Sequence, residues 1–427
     1  MRWHQKIIQI FKIKDLRKKI LFVLMILVIF RIAANIPVPG IDAERLRQFF
    51  GANQLFGLLN IFTGGAMENM SIVMLGLGPF ITATIIMQLL TMIFPQLEAL
   101  YKEEGEAGRQ KFNQYARMLT VPLAALQSYG MLVLLSRQNI LGALSSPQWI
   151  ISISIITAGA LFLMWLGELI SEKGIGNGVS LLIFAGIVAQ VPISVREIVI
   201  AYDPSKIPSY LAFLVLALVI TASVVYITEG RRNIPVSYAK RIRGRRMYGG
   251  VSTYLPLNVN PAGVIPIIFA LSIMLFPGLV ANFMAASNVV WLANAARFIG
   301  AFLQNPWFYG ISYFILVVLF TYFYTAVTFD PKNVADNLQK MGGFIPGIRP
   351  GKSTSDFLYF ILNRVLLFGA IFLGTVAVLP SVVQGATGIA AFGFVIGGTA
   401  LLIVVSVVLE TVRQIESQLV MREYEGF

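Results

Sequence analysis

Few side chains in this sequence are equipped for chemistry. There is no cysteine and a single histidine, His4 in a charged leader, so thiolate metal sites, cysteine nucleophiles, zinc centres and Ser/His hydrolysis all lose their usual parts. The stretch GIRPGKS from Gly347 to Ser353 has the composition of a phosphate-binding loop, yet three residues separate its glycines where that motif has four. Pro346 and Pro350 also remove backbone amides that would cradle a phosphate, and no strand pattern precedes them. Ionisable residues in the middle of apolar segments would signal proton or ion coupling. Arg31, Arg117, Glu168, Arg364 and Glu410 instead fall near segment ends, where long side chains reach the interface. The chain is read as no enzyme, with no catalytic residue, no metal and no cofactor.

The elements that would carry any function are membrane segments. Of 427 residues, 57% are hydrophobic and 12% charged, against about 25% charged in soluble proteins, which excludes an ordinary soluble enzyme. A bilayer core takes about 20 apolar residues in a helix, and ten such runs emerge. They are Ile20 to Ile36, Ile72 to Phe94, Met118 to Leu135, Trp149 to Ile170, Val179 to Ile193, Leu211 to Ile227, Ala262 to Met284, Trp307 to Phe329, Phe357 to Val378 and Ile389 to Leu409. The first and fifth are the weakest. The basic leader and first run also resemble the start of a signal peptide, but Ile36-Pro-Val-Pro-Gly40 is no small-residue cleavage site, so the segment is expected to stay.

Lys/Arg placement orients the chain. With both termini in the cytosol, all but seven of the 33 basic residues (Arg31, Arg45, Arg47, Arg137, Arg196, Lys206 and Arg297) lie on cytosolic segments or their borders. This asymmetry accounts for the net charge of +13 and leaves no need for a dedicated nucleic-acid-binding domain. Two cytosolic loops, 229–260 and 330–356, exceed what a turn requires and carry dense basic residues. Topology alone would use such charge, as would docking on RNA phosphate or an acidic protein.

Three smaller features stand out. Leu55, Leu58, Leu59 and Phe62 fall at helical spacing before Thr63-Gly64-Gly65-Ala66, too short to cross, which fits either a surface amphipathic helix or a re-entrant segment. Gly76-Leu77-Gly78-Pro79 puts flexible and kinking residues inside the second segment, where Thr82, Thr84 and Gln88 read as a polar side. Gly393 and Gly397 form a small-xxx-small pair suited to helix packing.

Five motifs in order resemble the SecY family of protein-conducting channels, from first segment to last. They are Ile36 to Asp42 (IPVPGID), Trp165 to Gly178 (WLGELISEKGIGNG), Ala262 to Pro266 (AGVIP), Ala335 to Leu338 (ADNL) and Phe344 to Gly351 (FIPGIRPG). The resemblance implies an all-α polytopic membrane protein whose ten helices form two inverted five-helix halves around an hourglass pore with a re-entrant plug helix. The implied divisions are a cytosolic segment 1–19, a first half 20–193 with the plug at about 55–67, an external hinge loop 194–210, a second half 211–409 and a cytosolic tail 410–427.

The same resemblance implies site residues. A narrow aliphatic ring maps onto Leu77, Ile81, Ile183, Ile187, Ile268 and Ile403, Leu77 departing from the family's usual isoleucine. The plug maps onto Leu55, Leu58, Leu59, Phe62, Gly64 and Gly65, and polar residues of a lateral gate onto Thr82, Thr84 and Gln88. Such a ring offers ions no hydrogen bonds and can dewet, yet yields around a passing chain. Implied partners are SecE, SecG, signal-bearing polypeptides, the lipid bilayer, and a motor, SecA or the ribosome, contacting Arg245, Arg246 and Arg349. The bacterial inner membrane is the implied location. A secondary transporter is the alternative from another class, weakened by the lack of mid-segment ionisable residues, and an intramembrane protease is a more distant third.

Overall fold

In the computed structural model the described residues are 12–39, 60, 63–137, 141, 145–200, 204, 207–238, 241–243, 246–248, 252–285, 290–387 and 398–425. Each of the ten apolar segments contains a helix, as α1 (Lys14–Ala33), α2 (Gly78–Ile93), α4 (Gly105–Arg137), α5 (Ser146–Lys173), α6 (Gly178–Ile200), α7 (Ile207–Glu229), α8 (Ile265–Ala285), α10 (Pro306–Thr328), α12 (Lys352–Thr387) and α13 (Gly398–Glu425). Short helices α3 (Pro95–Lys102), α9 (Val290–Gln304) and α11 (Pro331–Lys340) sit between them. Among the described residues five helical stretches are long and apolar enough to cross a membrane by length and composition, and a sixth when α2 and α3, bent by 111°, are taken as one. Pro192 lies inside α6 and Pro277 inside α8, and both helices continue past them. The Gly393 and Gly397 pair lies outside the described residues.

Helix starts follow local chemistry. Proline opens α2, α3, α10 and α11 within the first two positions, where its missing N–H has no intrahelical partner to lose. The Asn305 side chain accepts from Trp307 N at the head of α10, and Asp330 accepts from Lys332 N and Asn333 N at the head of α11. At the head of α5 the Gln148 side chain accepts from Ser145 N.

The packing of the helices repeats. In chain order, the first membrane helix packs on the fourth and fifth, the second on the third, the third on the fourth and the fourth on the fifth. The sixth packs on the ninth and tenth, the seventh on the eighth, the eighth on the ninth and the ninth on the tenth. Apart from a contact of the second on the fourth that the other half lacks, each half reproduces the other's neighbours. An odd number of helices per half reverses the direction of the second half, which makes the repeat an inverted one. The halves meet along two seams, one where α8 lies on α2 and α4, the other where α6 lies on α13.

The two long basic loops are not helical throughout, in contrast to an all-helical reading. Strands β1 (Arg231–Tyr238) and β4 (Ser252–Asn258) pair antiparallel from Arg231 opposite Asn258 to Ser237 opposite Ser252. Between them lies a small hairpin of β2 (Arg241–Arg243) and β3 (Arg246–Tyr248). Strand β5 (Gly343–Phe344), from the second loop, joins the other edge of β1. Ile234, Val236, Leu257, Leu338, Ile345 and Leu358 form the apolar core beneath this sheet, so the two basic loops make one platform.

Ionisable residues at the segment ends are also placed by partners. Arg117 pairs with Glu168 across α4 and α5, and Arg364 lies 4.2 Å over the ring of Phe360. Arg413 on α13 holds Glu229 at 2.6 Å and Thr228 O at 3.0 Å, tying α13 to the end of α7. Gln414 accepts from Gly176 N at 2.7 Å, a link from one half to the other.

The second segment starts differently from its apolar run. Residues 72–77 form turns, and α2 begins at Gly78. Those turns lie against α5 so closely that a Cβ on Gly159 would stand 1.8 Å from Ile72 O. Gly159→Val should therefore lower stability by about 1–3 kcal/mol through overpacking, read as a lower melting temperature of the purified protein in detergent; an unchanged melting temperature would contradict this seating.

Candidate functional site

The six aliphatic residues singled out above come from four helices and lie in one apolar cluster. Leu77 caps the start of α2 and Ile81 follows one turn later, Ile183 and Ile187 are one turn apart on α6, Ile268 is on α8 and Ile403 on α13. All are buried, from 0% exposed at Ile403 to 8% at Ile81 and Ile268. Their helices all lie along the seams, and the apolar cluster they share extends into both halves. Among the described residues no buried side chain is charged. Fully closed aliphatic packing of this kind excludes water and ions.

The segment before α2 closes the cluster from one end. Ala66 and Val73, both 0% exposed, belong to it. Gly64 and Gly65 have φ of 68° and 83°, the left-handed region that glycine enters without strain. Their turn lies on α6, since a Cβ on Gly64 would stand 2.8 Å from Gly186 Cα and one on Gly65 2.4 Å from Gln190 Nε2. Asn60 closes the turn on itself, its side chain bonding the Glu68 carboxylate and N–H and its carbonyl accepting from Gly65 N. The chain then pairs with the end of the first segment through Val38 N to Met70 O and Ile72 N to Ile36 O. Leu55, Leu58, Leu59 and Phe62 lie outside the described residues.

The polar residues of α2 are arranged differently from the expected single side. At 3.6 residues per turn Thr84 and Gln88 line up, while Thr82 stands about 160° around the helix from Thr84. Thr82 and Thr84 each donate to the carbonyl four residues back, at 2.9 Å. Gln88 is buried with its Oε1 unpaired, and Thr91, one turn further, donates to Gln88 O. Thr91 is thus the member of this polar stripe that the sequence reading missed, although its i+7 spacing from Thr84 was there to find. α2 packs on α8, so the stripe lies on a helix of the first seam.

On the platform Arg349 is exposed, and its carbonyl accepts from the Thr354 hydroxyl at the start of α12. Arg246 opens β3 opposite Arg243, and Arg245 lies outside the described residues. Arg231 and Arg232, on the strand at the centre of the sheet, are exposed as well. Sequence reasoning counted them as loop charge, because an arginine-led strand containing Pro235 carries no alternation signal.

Comparisons with known proteins agree with this architecture. The family model of SecY matches residues 71–412. The protein translocase subunit SecY of Corynebacterium glutamicum is 46% identical, covering 98% of this chain and 99% of that protein. Its counterpart in Mycobacterium tuberculosis is 45% identical, covering 97% of each. Among solved structures, a protein-conducting channel superposes with a TM-score of 0.65 at 21% identity, covering 93% of this chain and 91% of the other. A SecY structure described for a plug domain that stabilises the closed state gives 0.62 at 20%, and Sec61 in the canine ribosome-channel complex 0.59 at 20%, each with the same coverage.

A hydroxyl in the dry cluster should both destabilise and wet it. For Ile403→Ser, lost burial costs about 2–4 kcal/mol of stability, and ion flux through the reconstituted protein in lipid vesicles should rise several-fold. A variant as ion-tight as its parent would show that Ile403 lines no permeation path.

Proposed function

Because the chain belongs to the SecY family, we propose a detailed working cycle for what it is, a multi-pass membrane channel for protein translocation. Unfolded signal-bearing polypeptides pass through the waist between the two halves. Leu77, Ile81, Ile183, Ile187, Ile268 and Ile403 form the ring that seals around them. The observation that carries this reading is that the six, far apart in sequence, are all buried in one apolar cluster on helices that line both seams. Branched aliphatic side chains make no specific bonds to a passing chain, so the seal tolerates any sequence.

Between passages the segment at about 55–67 plugs the outer side, supported by the close seating of Gly64, Gly65 and Ala66 on α6 and the cluster. Opening along the seam of α2 and α4 with α8 releases membrane segments laterally into lipid. Thr84 and Gln88, with Thr82 on the other side of the helix, contribute polar groups to that gate. The unpaired Gln88 Oε1 supports this, since a buried acceptor without a donor lowers the cost of parting the seam. Halves 20–193 and 211–409 move about the external loop 194–210.

The chain supplies no chemistry of its own, and energy comes from SecA or the translating ribosome docked on the cytosolic platform. Arg245, Arg246 and Arg349 are its contact residues, with Arg231 and Arg232 adding to the same basic surface. SecE and SecG complete the complex, both termini are cytosolic, and the membrane is the bacterial inner membrane. The excess of Lys/Arg on one side of the membrane supports that orientation.

Reconstitution tests the reading. Vesicles holding the channel with SecE and SecG, given SecA and ATP, should make a signal-bearing polypeptide protease-resistant, and Arg349→Glu should cut that yield about tenfold or more without lowering the melting temperature, as loss of a charge-paired interface contact does. Normal SecA-driven transport by Arg349→Glu would refute the docking assignment.

A further inference from the structure

Arg31 is used nowhere in the cycle above, although it is an ionisable residue inside an apolar segment. A merely interfacial arginine would extend into solvent or headgroups. Instead its Nη1 donates to Gly64 O at 2.6 Å, joining α1 to a turn 33 residues away. That turn is left-handed at Gly64 and Gly65; Gly65 O accepts from Asn69 N, whereas among the described residues no backbone N–H donates to Gly64 O, which leaves it to the arginine. A hydrogen bond from a cation is roughly twice as strong as one between neutral groups.

The location gives the bond its meaning. Gly64 touches Gly186 and Gly65 touches Gln190, positions that bracket Ile187 of the waist, while Ala66 enters the same apolar cluster. Arg31 thus holds the turn from α1 at the same face of Gly64 that lies on α6, since a Cβ there would stand 2.8 Å from Gly186 Cα and 3.1 Å from Arg31 Nη1. The Asn35 side chain donates to Arg31 O at 2.7 Å, fixing the last turn of α1 from which the guanidinium reaches. A few residues on, Met70 is held at φ 42°, a costly conformation for a residue other than glycine, so the segment is retained by contacts and not by its own preference.

We propose that Arg31 is the latch of the closed channel: its bond to Gly64 O holds the plug turn on α6, and parting it is a step of opening. This rests on the channel reading above and adds the residue that sets the balance between closed and open. It is a positioning role, exerted through the plug and without contact with the transported chain.

The test compares Arg31→Met, which removes the donors, with Arg31→Lys, which keeps a cation and a donor, in the full complex reconstituted in vesicles. Idle ion conductance and translocation of a signal-bearing polypeptide are both measured. Arg31→Met should raise idle conductance about tenfold, the population shift that follows from losing one hydrogen bond to a charged group, with translocation retained. Arg31→Lys should stay within about twofold of the parent, since the cation still reaches a carbonyl. Because the chain has no cysteine, Gly65→Cys with Gln190→Cys allows a thiol crosslink that should return the Arg31→Met channel to the parental conductance. Should Arg31→Met fail to assemble, Arg31→Gln serves with the same expectation.

Parental idle conductance in an assembled Arg31→Met or Arg31→Gln channel that still translocates would overturn the latch. So would a leak that the crosslink leaves unchanged, which would assign Arg31 to anchoring α1. Failure of the parent itself to translocate would instead bring down the channel reading beneath it.

Discussion

A pore wide enough for an unfolded polypeptide must still hold back ions, and on the proposed reading aliphatic contact across the junction of two halves meets this demand. Leu77, Ile81, Ile183, Ile187, Ile268 and Ile403 offer nothing to hydrogen-bond, so their closure depends on shape alone. A seal made this way must be assembled from several helices at once, because no single helix face encloses a passage. The four helices that contribute are the ones that form the two seams, and any motion along either seam moves the seal. Sealing and opening are therefore one mechanical problem in this fold.

The rest of the molecule holds those four helices in register while leaving the seams weak. Within each half the same pairs of helices pack, which fixes α2 and α6 in one half and α8 and α13 in the other. Across the halves Gly176 N donates to Gln414, while within them Arg413 holds Glu229 behind α13 and Arg31 holds the Gly64 turn beside α6. On the cytosolic side β5 joins the sheet of the first long loop, so force applied to either loop is shared by one platform resting on Ile234, Leu338 and Leu358.

The sequence made the membrane elements legible because a bilayer core imposes a length on each of them, and runs such as 149–170 and 307–329 declare it openly. Charge asymmetry likewise sets the expected orientation. The inverted repeat was not legible: it lives in which helices pack together, and unrelated apolar residues can make equivalent contacts. The sheet escaped because Arg231, Arg232 and Pro235 disguise β1 as loop. The polar side of α2 was misjudged at Thr82, where two-residue spacing puts a side chain across the helix from its neighbour. Arg31 was noticed for its charge, but its partner could not be read from sequence, since a carbonyl at Gly64 leaves no mark in the identity of the residue that carries it.

The central claim is that the transported chain passes through the aliphatic cluster. A photoreactive residue at Ile183 or at Ile403, in vesicles supplied with SecA and ATP, tests it against a stalled signal-bearing polypeptide. The account predicts an adduct at both positions, one on each side of the seam between α6 and α13. Efficient transport with an adduct at neither would contradict it, placing the polypeptide's path somewhere other than between the two halves.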